Sequence, residues 1–339
     1  MKKPLLLLSI LFILVSCNKP NDIKDFNEKL IEIVKYNSLY SDSLNWLLIE
    51  KEIDSISKLN QNVDKYTVSV NYIISKLRVV GDNHTCLTSK KTFIDMGKQN
   101  LCSEVPVSKY LGKNMGYIKI PGIYTTNIQE MNAFATKIQQ LIKTIDTIFI
   151  NGWIVDLRGN GGGNLYPMIA GLGPLIGEGN LGCSLKRNGK IRSWSYQKGT
   201  VIDIISNNFL IKNGEKIKLA NKITRTVSVS SPYYIRNKNS KIAIIINNKT
   251  CSAGEFTAIS FIGKSNVKLF GQISAGLTTD NDAFLLTDGS LLNLATSLAA
   301  DRNMKIYNDG IIPDVIIYDY MYNDDRSLNE AIKWLKESK

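Results

Sequence analysis

The chain has 339 residues, of which 44% are hydrophobic and 21% are charged, so it is a core-forming globular protein and not a disordered one. Its 42 lysines and arginines against 30 aspartates and glutamates give a net charge of +12, which allows contact with nucleic acid or an anionic membrane. The single histidine, His84, excludes a multi-histidine metal site, and the five cysteines lack a CxxC pair, so no metal or other cofactor is expected.

The first residues predict a leader and not a part of the fold. Lys2 and Lys3 precede an apolar stretch, residues 4–16, which is shorter than the ~20 residues that a membrane-spanning helix needs. Residues 14–17, LVSC, resemble the bacterial lipobox, in which a small residue precedes a cysteine that is lipidated. Residues 1–16 are therefore predicted to be a lipoprotein signal peptide and Cys17 the lipidated residue. The alternative is an ordinary secretory signal with an incidental cysteine.

A lipid on Cys17 would tether the body of the protein to a membrane, on the extracytoplasmic side. The basic charge is then expected to be a solvated face near anionic lipid. No basic motif with interleaved aromatic residues supports nucleic acid as a partner. In that compartment a Cys86–Cys102 disulfide is feasible, and free buried thiols are an equal alternative.

The N-terminal part of the body, residues 17–80, is predicted to be a helical region and tether. Phe26, Leu30 and Val34 recur at helical spacing, together with Ile33. The same trend continues in a second group of apolar residues: Leu47, Leu48, Ile53 and Ile56.

The remainder, residues 81–339, alternates predicted strands and helices, which indicates an α/β core with a largely parallel sheet. Strands are predicted at 115–120, 153–157, 242–246 and 267–270, and helices at 127–145, from 165, at 252–262 and at 328–336. A hairpin is predicted around residues 287–289, and residues 177–240 are expected to be irregular β structure and loops.

Ser252 stands where a predicted strand gives way to a helix. The turn would expose its hydroxyl, and free N–H groups at the helix start could stabilise an oxyanion. The small residues Ala253 and Gly254 would let a substrate backbone approach closely. Alternatively, Ser252 is only the helix N-cap.

A run of glycines, residues 161–163, follows the strand at 153–157. Uncovered N–H groups there would suit an anion or an oxyanion, although neither a phosphate-binding P-loop nor the dinucleotide fingerprint is present. The neighbouring Asp156 and Arg158 are expected to form a structural ion pair. His84 is the only imidazole that could act as the base for a serine nucleophile, although a lone histidine is more often structural.

Together these segments resemble the C-terminal-processing, or tail-specific, serine proteases, which include the tricorn core and the retinoid-binding protein of the photoreceptor matrix. The resemblance rests on five segments in the family's order: GYIKI at 116–120, DLRGNGGG at 156–163, TCSAGE at 250–255, GQISAG at 271–276 and GIIPD at 310–314. It implies a ClpP/crotonase-like core and peptide or protein substrates.

The resemblance also implies roles for individual residues. Ser252 falls on the nucleophile, and the oxyanion donors would be the N–H of Ala253 and that of Gly162 or Gly163. Where the Ser–Lys branch of the family has its lysine, this chain has Leu277. The segment DNHT at 82–85 instead resembles the histidine segment of the tricorn branch, so His84 is the predicted base.

Two departures from the family's pattern stand out. The acidic partner of the histidine would fall on position 307, which is a tyrosine here. Tyr307 could orient His84 through its hydroxyl, or Asp309, Asp301 or Asp82 could replace the acid. The interval between 85 and 115 is too short for the PDZ domain that many relatives carry, so none is expected.

The leading hypothesis is a lipid-anchored extracytoplasmic serine endopeptidase in the cell envelope. Ser252 would form the acyl-enzyme and His84 would take its proton. The alternative is a catalytically weak or inactive protein with a peptidase fold that binds an apolar ligand or a peptide.

Overall fold

The computed structural model describes residues 23–58, 64–96, 104–147, 149–206, 209–212, 215–218, 222–319 and 324–337. The expected signal peptide, the lipidation residue Cys17 and Cys102 lie outside these described residues. Within them, no helix combines the length and the apolar character needed to cross a bilayer.

The secondary structure follows the predicted alternation of strands and helices. The helices are α1 Ile23–Asn37, α2 Trp46–Ser57, α3 Lys65–Val79, α4 Lys90–Met96, α5 Ile128–Ile145, α6 Leu165–Ile176, α7 Ala253–Ile259 and α8 Arg326–Lys336. The strands are β1 Cys86–Thr88, β2 Val107–Tyr110, β3 Met115–Lys119, β4 Gly152–Asp156, β5 Gly179–Lys186, β6 Ile191–Gln197, β7 Thr200–Ser206, β8 Phe209–Lys212, β9 Glu215–Lys218, β10 Lys222–Ser228, β11 Lys241–Ile246, β12 Val267–Gly271, β13 Thr279–Leu285, β14 Leu291–Asp301, β15 Ile306–Tyr307 and β16 Val315–Ile316.

The chain forms two compact units. Unit 1 comprises residues 1–99 and 281–296, and unit 2 comprises residues 100–280 and 297–339. This division differs from the boundary expected at residue 80, because residues 81–99 and the segment 281–296 group with the N-terminal helices.

Unit 1 has a core made by α1, α2 and α3 with the hairpin of residues 281–296. The apolar spacing of α1 buries Phe26, Leu30 and Val34, as predicted. In α2 the pattern holds only in the second half, because Ile53 and Ile56 are buried whereas Leu47 and Leu48 are exposed. The predicted hairpin turn is present, and Leu286 N–H donates to the carbonyl of Ser290 at 2.8 Å.

Unit 2 is built on a six-stranded sheet with the order β16-β12-β11-β4-β3-β2. All neighbouring pairs are parallel except β2 with β3 at the edge. The largely parallel sheet is thus confirmed, and the predicted strands at 153–157 and 242–246 are direct neighbours, β4 and β11.

The six-stranded sheet of unit 2 separates two hydrophobic layers. Side chains alternate along a strand, so Ile242, Ile244 and Ile246 of β11 join the layer that α5 and α6 cover. Ala243 and Ile245 point to the other face, where α8 packs. Because β11 is buried on both faces, it appears in the sequence as a continuous apolar run.

The expectation that residues 177–240 are irregular is wrong. This segment contains β5, β6, β7 and β10, which pair in sequence as an antiparallel sheet in unit 2. Residues 297–301 of β14 pair with β5 on one side. The strand residues Arg192 and Asp203 form an ion pair at 3.0 Å, so charged residues occupy positions where a strand pattern would show apolar ones.

Candidate functional site

Ser252 lies on a strained turn at the carboxyl end of β11, directly before α7. Its φ is +50° and its ψ is −121°, in a region that residues other than glycine rarely adopt. Such strain persists only where the surrounding structure enforces it, and it clusters at functional sites. The predicted helix at 252–262 is shorter than expected, because α7 ends at Ile259 and Gly263 takes a φ of +88°.

The glycine turn, residues 157–163, lies against Ser252. β4 and β11 are parallel and in register, so the loops that follow them meet at one edge of the sheet. Gly162 has a φ of +98°, and a Cβ added there would stand 3.0 Å from Ser252 Cβ and 3.2 Å from Ala253 N. Only glycine fits this contact.

Asn160 joins the glycine turn to the nucleophile loop. Its carbonyl accepts a hydrogen bond from Cys251 N at 2.9 Å, and its side-chain Oδ1 accepts one from Gly162 N at 3.0 Å. Its carbonyl also lies 2.7 Å from the point that a Cβ on Gly254 would occupy. Asn160 is fully buried, so both contacts are shielded from water.

Three N–H groups are candidates for the two predicted oxyanion donors, and their surroundings differ. Ala253 is the first residue of α7, where an N–H has no partner within the helix. Gly162 is buried and its N–H is donated to Asn160. Gly163 is exposed and lies opposite Ile123 in a parallel bridge. The hydrogen bonds of Ile123 in this bridge are made with the residues directly before and after Gly163, so the N–H of Gly163 points away from Ile123.

Glu255 connects Ser252 to two other motif segments. Its carboxylate is fully buried and accepts hydrogen bonds from Ser252 N at 2.8 Å, Ser274 Oγ at 2.5 Å and Gly276 N at 2.9 Å. Ser274 Oγ in turn accepts from Ile311 N at 2.7 Å. Burial raises the pKa of Glu255 above its ordinary value, against the lowering effect of these hydrogen bonds. One carboxylate therefore fixes the positions of the TCSAGE, GQISAG and GIIPD segments.

Tyr307, at the position of the family's acid, is buried and donates its hydroxyl to Asp301 Oδ2 at 3.0 Å. Burial and the Asp301 charge both raise the pKa of Tyr307, so the hydroxyl stays protonated. Asp301 also accepts N–H groups from its own loop, at Asn303 and Lys305. Asp309 is exposed.

His84 belongs to unit 1 and is half-buried in the segment that joins α3 to β1. The buried carboxylate of Asp82 accepts from His84 N at 3.0 Å and from Thr85 N at 2.9 Å, and Thr85 Oγ1 donates to its other oxygen. Asn281 Nδ2 donates to the His84 carbonyl at 3.2 Å. Asp82 thus holds the backbone on which His84 sits. The pairing of His84 with Ser252, which lies in unit 2, stays a prediction.

Two further features of unit 2 involve charged residues. Asp156 and Arg158 do form an ion pair, with 2.6 Å between Arg158 Nη2 and Asp156 Oδ2. Lys264 is not placed as a catalytic base, because its Nζ donates to the carbonyls of Leu175 and Ile176 at the end of α6. Burial lowers the pKa of Lys264 to about 8.

The described cysteines, Cys86, Cys183 and Cys251, are free thiols. Cys251 is half-buried beside Ser252, and burial raises the pKa of its thiol, so it is a poor nucleophile at neutral pH.

Sequence reasoning gave no role to Glu255 or Asn160. Glu255 stands three residues after Ser252, the spacing of a helix capping box, and that spacing is a signal that the sequence does contain. Asn160 offered no comparable signal, because its bond with Cys251 joins two loops that are far apart in the sequence.

The chain is similar to several known proteins. A nisin-resistance protein from Lactococcus lactis subsp. lactis is 29% identical over 300 residues, which cover 88% of this chain and 82% of the relative. A lipoprotein from Streptococcus agalactiae has a similar structure, with a TM-score of 0.70, 27% identity and coverage of 94% of this chain and 97% of that one. The photosystem II D1 C-terminal processing protease shares the fold, with a TM-score of 0.56, 11% identity and coverage of 91% and 96%.

The family profile of peptidase family S41 matches residues 114–317, which is more than half of the chain. The matched region contains the glycine turn, Ser252 and Glu255. The α/β fold predicted from the sequence is confirmed by the same similarities, and the chain belongs to peptidase family S41.

Proposed function

We propose that this protein is a serine endopeptidase in which Ser252 is the nucleophile and His84 is the general base. The observation that carries the proposal is the strained backbone of Ser252, held against a glycine turn at the start of a helix. Strain of this kind aims a hydroxyl out of a turn, and the adjacent helix start supplies N–H groups. Membership of family S41 supports peptides or proteins as substrates.

In the proposed reaction, the Ser252 hydroxyl loses its proton to His84 while its oxygen forms a bond to the peptide carbonyl carbon. The protonated histidine then gives that proton to the leaving amine as the C–N bond breaks. Water attacks the resulting ester in the same way, with His84 taking its proton, and the acid product leaves with Ser252 restored.

The N–H groups of Ala253 and Gly163 are the proposed oxyanion donors. Gly162 is the weaker alternative of the two glycines, because its N–H already donates to Asn160 at 3.0 Å. A donor that is committed to a buried side chain would have to break that bond before it could stabilise developing charge. Gly163, in contrast, is exposed and its N–H points away from Ile123.

The group that orients His84 is proposed to be Tyr307 or Asp309. The Tyr307 hydroxyl donates its hydrogen bond to Asp301, so its oxygen could act only as an acceptor for an imidazole N–H. An acceptor without a full negative charge would stabilise the imidazolium less than a carboxylate does. This observation favours the second candidate function, a weak or inactive peptidase fold that binds a peptide or an apolar ligand.

Location and substrate belong to the same proposal. The lipobox-like segment at 14–17 supports anchoring through Cys17, with the body outside the cytoplasm, and the similar lipoprotein of Streptococcus agalactiae supports an envelope location. Because a relative is named for resistance to nisin, nisin is the first peptide to offer as a substrate.

A fluorophosphonate probe tests the nucleophile directly, with the adduct measured as intact mass. We expect the wild type to be labelled, Ser252→Ala and His84→Ala to remain unlabelled, and the matched control Ser55→Ala, on an exposed face of α2, to be labelled like the wild type. A folded wild type that takes no label would refute the peptidase and leave the binding function. Cleavage of nisin, followed by mass spectrometry, then tests the substrate.

A further inference from the structure

The N-terminal end of α8 is bonded to the glycine turn. Asp325, the N-cap of α8, accepts a hydrogen bond from Leu328 N at 3.0 Å. The same carboxylate accepts two bonds from Arg158, at 2.7 Å to Nη1 and 2.9 Å to Nη2. Planar pairs of this bidentate kind fix orientation as well as distance. Asp325 therefore caps a helix and holds a residue of the glycine turn at once.

Arg158 is held equally firmly on its other side. Its Nε lies 3.0 and 3.1 Å from the two oxygens of Asp156, and its main-chain N donates to Asp156 Oδ1 at 2.9 Å. Asp156 is the last residue of β4, it is buried, and it accepts the hydroxyl of Tyr117 at 2.8 Å. The guanidinium thus bridges the end of a central strand to the cap of α8.

The other end of α8 is tied to the strand that leads to Ser252. Lys241, the first residue of β11, donates its ammonium to the carbonyls of Trp334 at 3.0 Å and Glu337 at 2.8 Å. At the same end of α8, Leu335 packs on Gly152 of β4 so closely that a Cβ on that glycine would lie 2.9 Å from Leu335 Cδ2. α8 therefore contacts both strands whose loops form the proposed site.

From these contacts we infer that the Arg158–Asp325 pair positions the glycine turn for oxyanion stabilisation, which makes Asp325 a positioning residue of the active site. The inference rests on the proposed function. Arg158 is two residues from Asn160, whose carbonyl and side chain hold Cys251 and Gly162. Release of the guanidinium would let the turn relax away from Ser252, while the substrate-binding surface stays unchanged.

The test compares two aspartate N-caps in the full chain. Serine caps a helix about as well as aspartate, but it cannot form a bidentate pair with arginine. Asp325→Ser therefore keeps the cap and removes the bidentate pair, which leaves only the longer contact of Arg158 Nη1 with Asp319 Oδ2 at 3.4 Å. Asp64→Ser, at the cap of α3, is the matched control. Arg158→Lys keeps the charge and loses the planar fork.

Two readouts are measured: fluorophosphonate labelling, separated into the limiting rate and the half-saturating probe concentration, and amide hydrogen exchange of a peptide that covers residues 157–163. Loss of a whole oxyanion donor costs about 10²–10³ in rate, so a displaced turn is expected to cost about 10-fold in Asp325→Ser. Half-saturation should stay unchanged, exchange in the turn should become faster, and Asp64→Ser should match the wild type in both readouts. Arg158→Lys also loses the contacts of the guanidinium with Asp156, so it should lower the rate by itself. It should lower the rate less in Asp325→Ser than in the wild type, because the Asp325 pair is already absent there.

The inference is overturned if Asp325→Ser labels at the wild-type rate and its turn exchanges as slowly as in the wild type. If the wild type itself takes no label, the proposed function fails, and the exchange readout alone then decides whether α8 holds the turn. Faster exchange in Asp325→Ser with an unlabelled wild type would retain the structural bridge and reject its catalytic role.

Discussion

Substitution of Glu255 by glutamine tests whether this carboxylate organises the site. Glutamine keeps the shape, and its oxygen can still accept from Ser274 and Gly276, which share Oε1. Its amide nitrogen would then face Ser252 N, which donates to Oε2 at 2.8 Å, and two donors would oppose each other. Loss of a hydrogen bond to a charged group costs about 1.5–3 kcal/mol, and a buried donor left without a partner costs about 1–3 kcal/mol.

The two costs overlap, so we expect Glu255→Gln to lower the free energy of unfolding by about 2–4 kcal/mol. The assay is urea unfolding at pH 7, followed by far-UV circular dichroism, with fluorophosphonate labelling of the folded variant. Glu178→Gln is the matched control, because Glu178 accepts its hydrogen bond from Lys198 N at an exposed site. A loss below about 0.5 kcal/mol, the usual range of surface substitutions, together with unchanged labelling, would refute the central role of Glu255.

Three further predictions follow from the same contacts. Gly162→Ala should abolish labelling and lower the unfolding free energy more than Gly159→Ala does. Gly159 shares the positive φ, but no atom lies within 4 Å of a Cβ added there. Similar losses of unfolding free energy in the two variants would contradict the close packing of the turn on Ser252. Because the pKa of Glu255 is raised in the folded state, the folded state binds the extra proton, and the unfolding free energy of the wild type should fall as pH rises above about 4.5. When the unfolding free energy is measured against pH, Glu255→Gln should lack this fall. An identical pH profile in the two proteins would contradict the raised pKa. Because the pKa of Lys264 is lowered from 10.5 to about 8, the unfolded state binds more protons between those pH values, and the unfolding free energy should rise with pH in that window. Lys264→Met should flatten this rise. An unaltered slope in the variant would show that the rise comes from other groups.

The parallel core could be predicted because its signals are local. β11 is an apolar run buried on both faces, and the glycine turn follows a strand of the same kind, so each element is visible within a few residues. β4 and β11 are expected to share one sheet, because the glycine turn and the loop of Ser252 that follow them must meet at one edge. The helices α1 and α5 were visible from their spacing for the same reason.

The antiparallel sheet of unit 2 was not predictable in this way. In β7 the buried positions alternate, but one of them is Asp203, which is satisfied by Arg192 on the neighbouring strand. An ion pair between strands replaces the apolar side chains that a sequence pattern depends on. Each residue alone indicates a loop, and only the pairing shows a strand.

The candidate site was predictable at its centre and not at its supports. Ser252 and the glycine turn carry local motifs, whereas the bond of Arg158 to Asp325 is set by tertiary structure. Exposure is equally invisible to spacing: Leu47 fits the helical pattern but is 84% exposed. A helix can continue an apolar repeat past the edge of the core that it covers.

The bond between Arg158 and Asp325 also has a consequence for the order of assembly. The two residues are 167 positions apart, and contacts of such separation close late because the intervening chain must first be ordered. During synthesis, the strands that precede the glycine turn and Ser252 emerge well before the segment that braces the turn. A chain that is still being made therefore lacks the bond between Arg158 and Asp325. If the protein cleaves peptides as proposed, its site would become fully reactive only when α8 has formed. By then the rest of its own chain is folded and is a poor substrate.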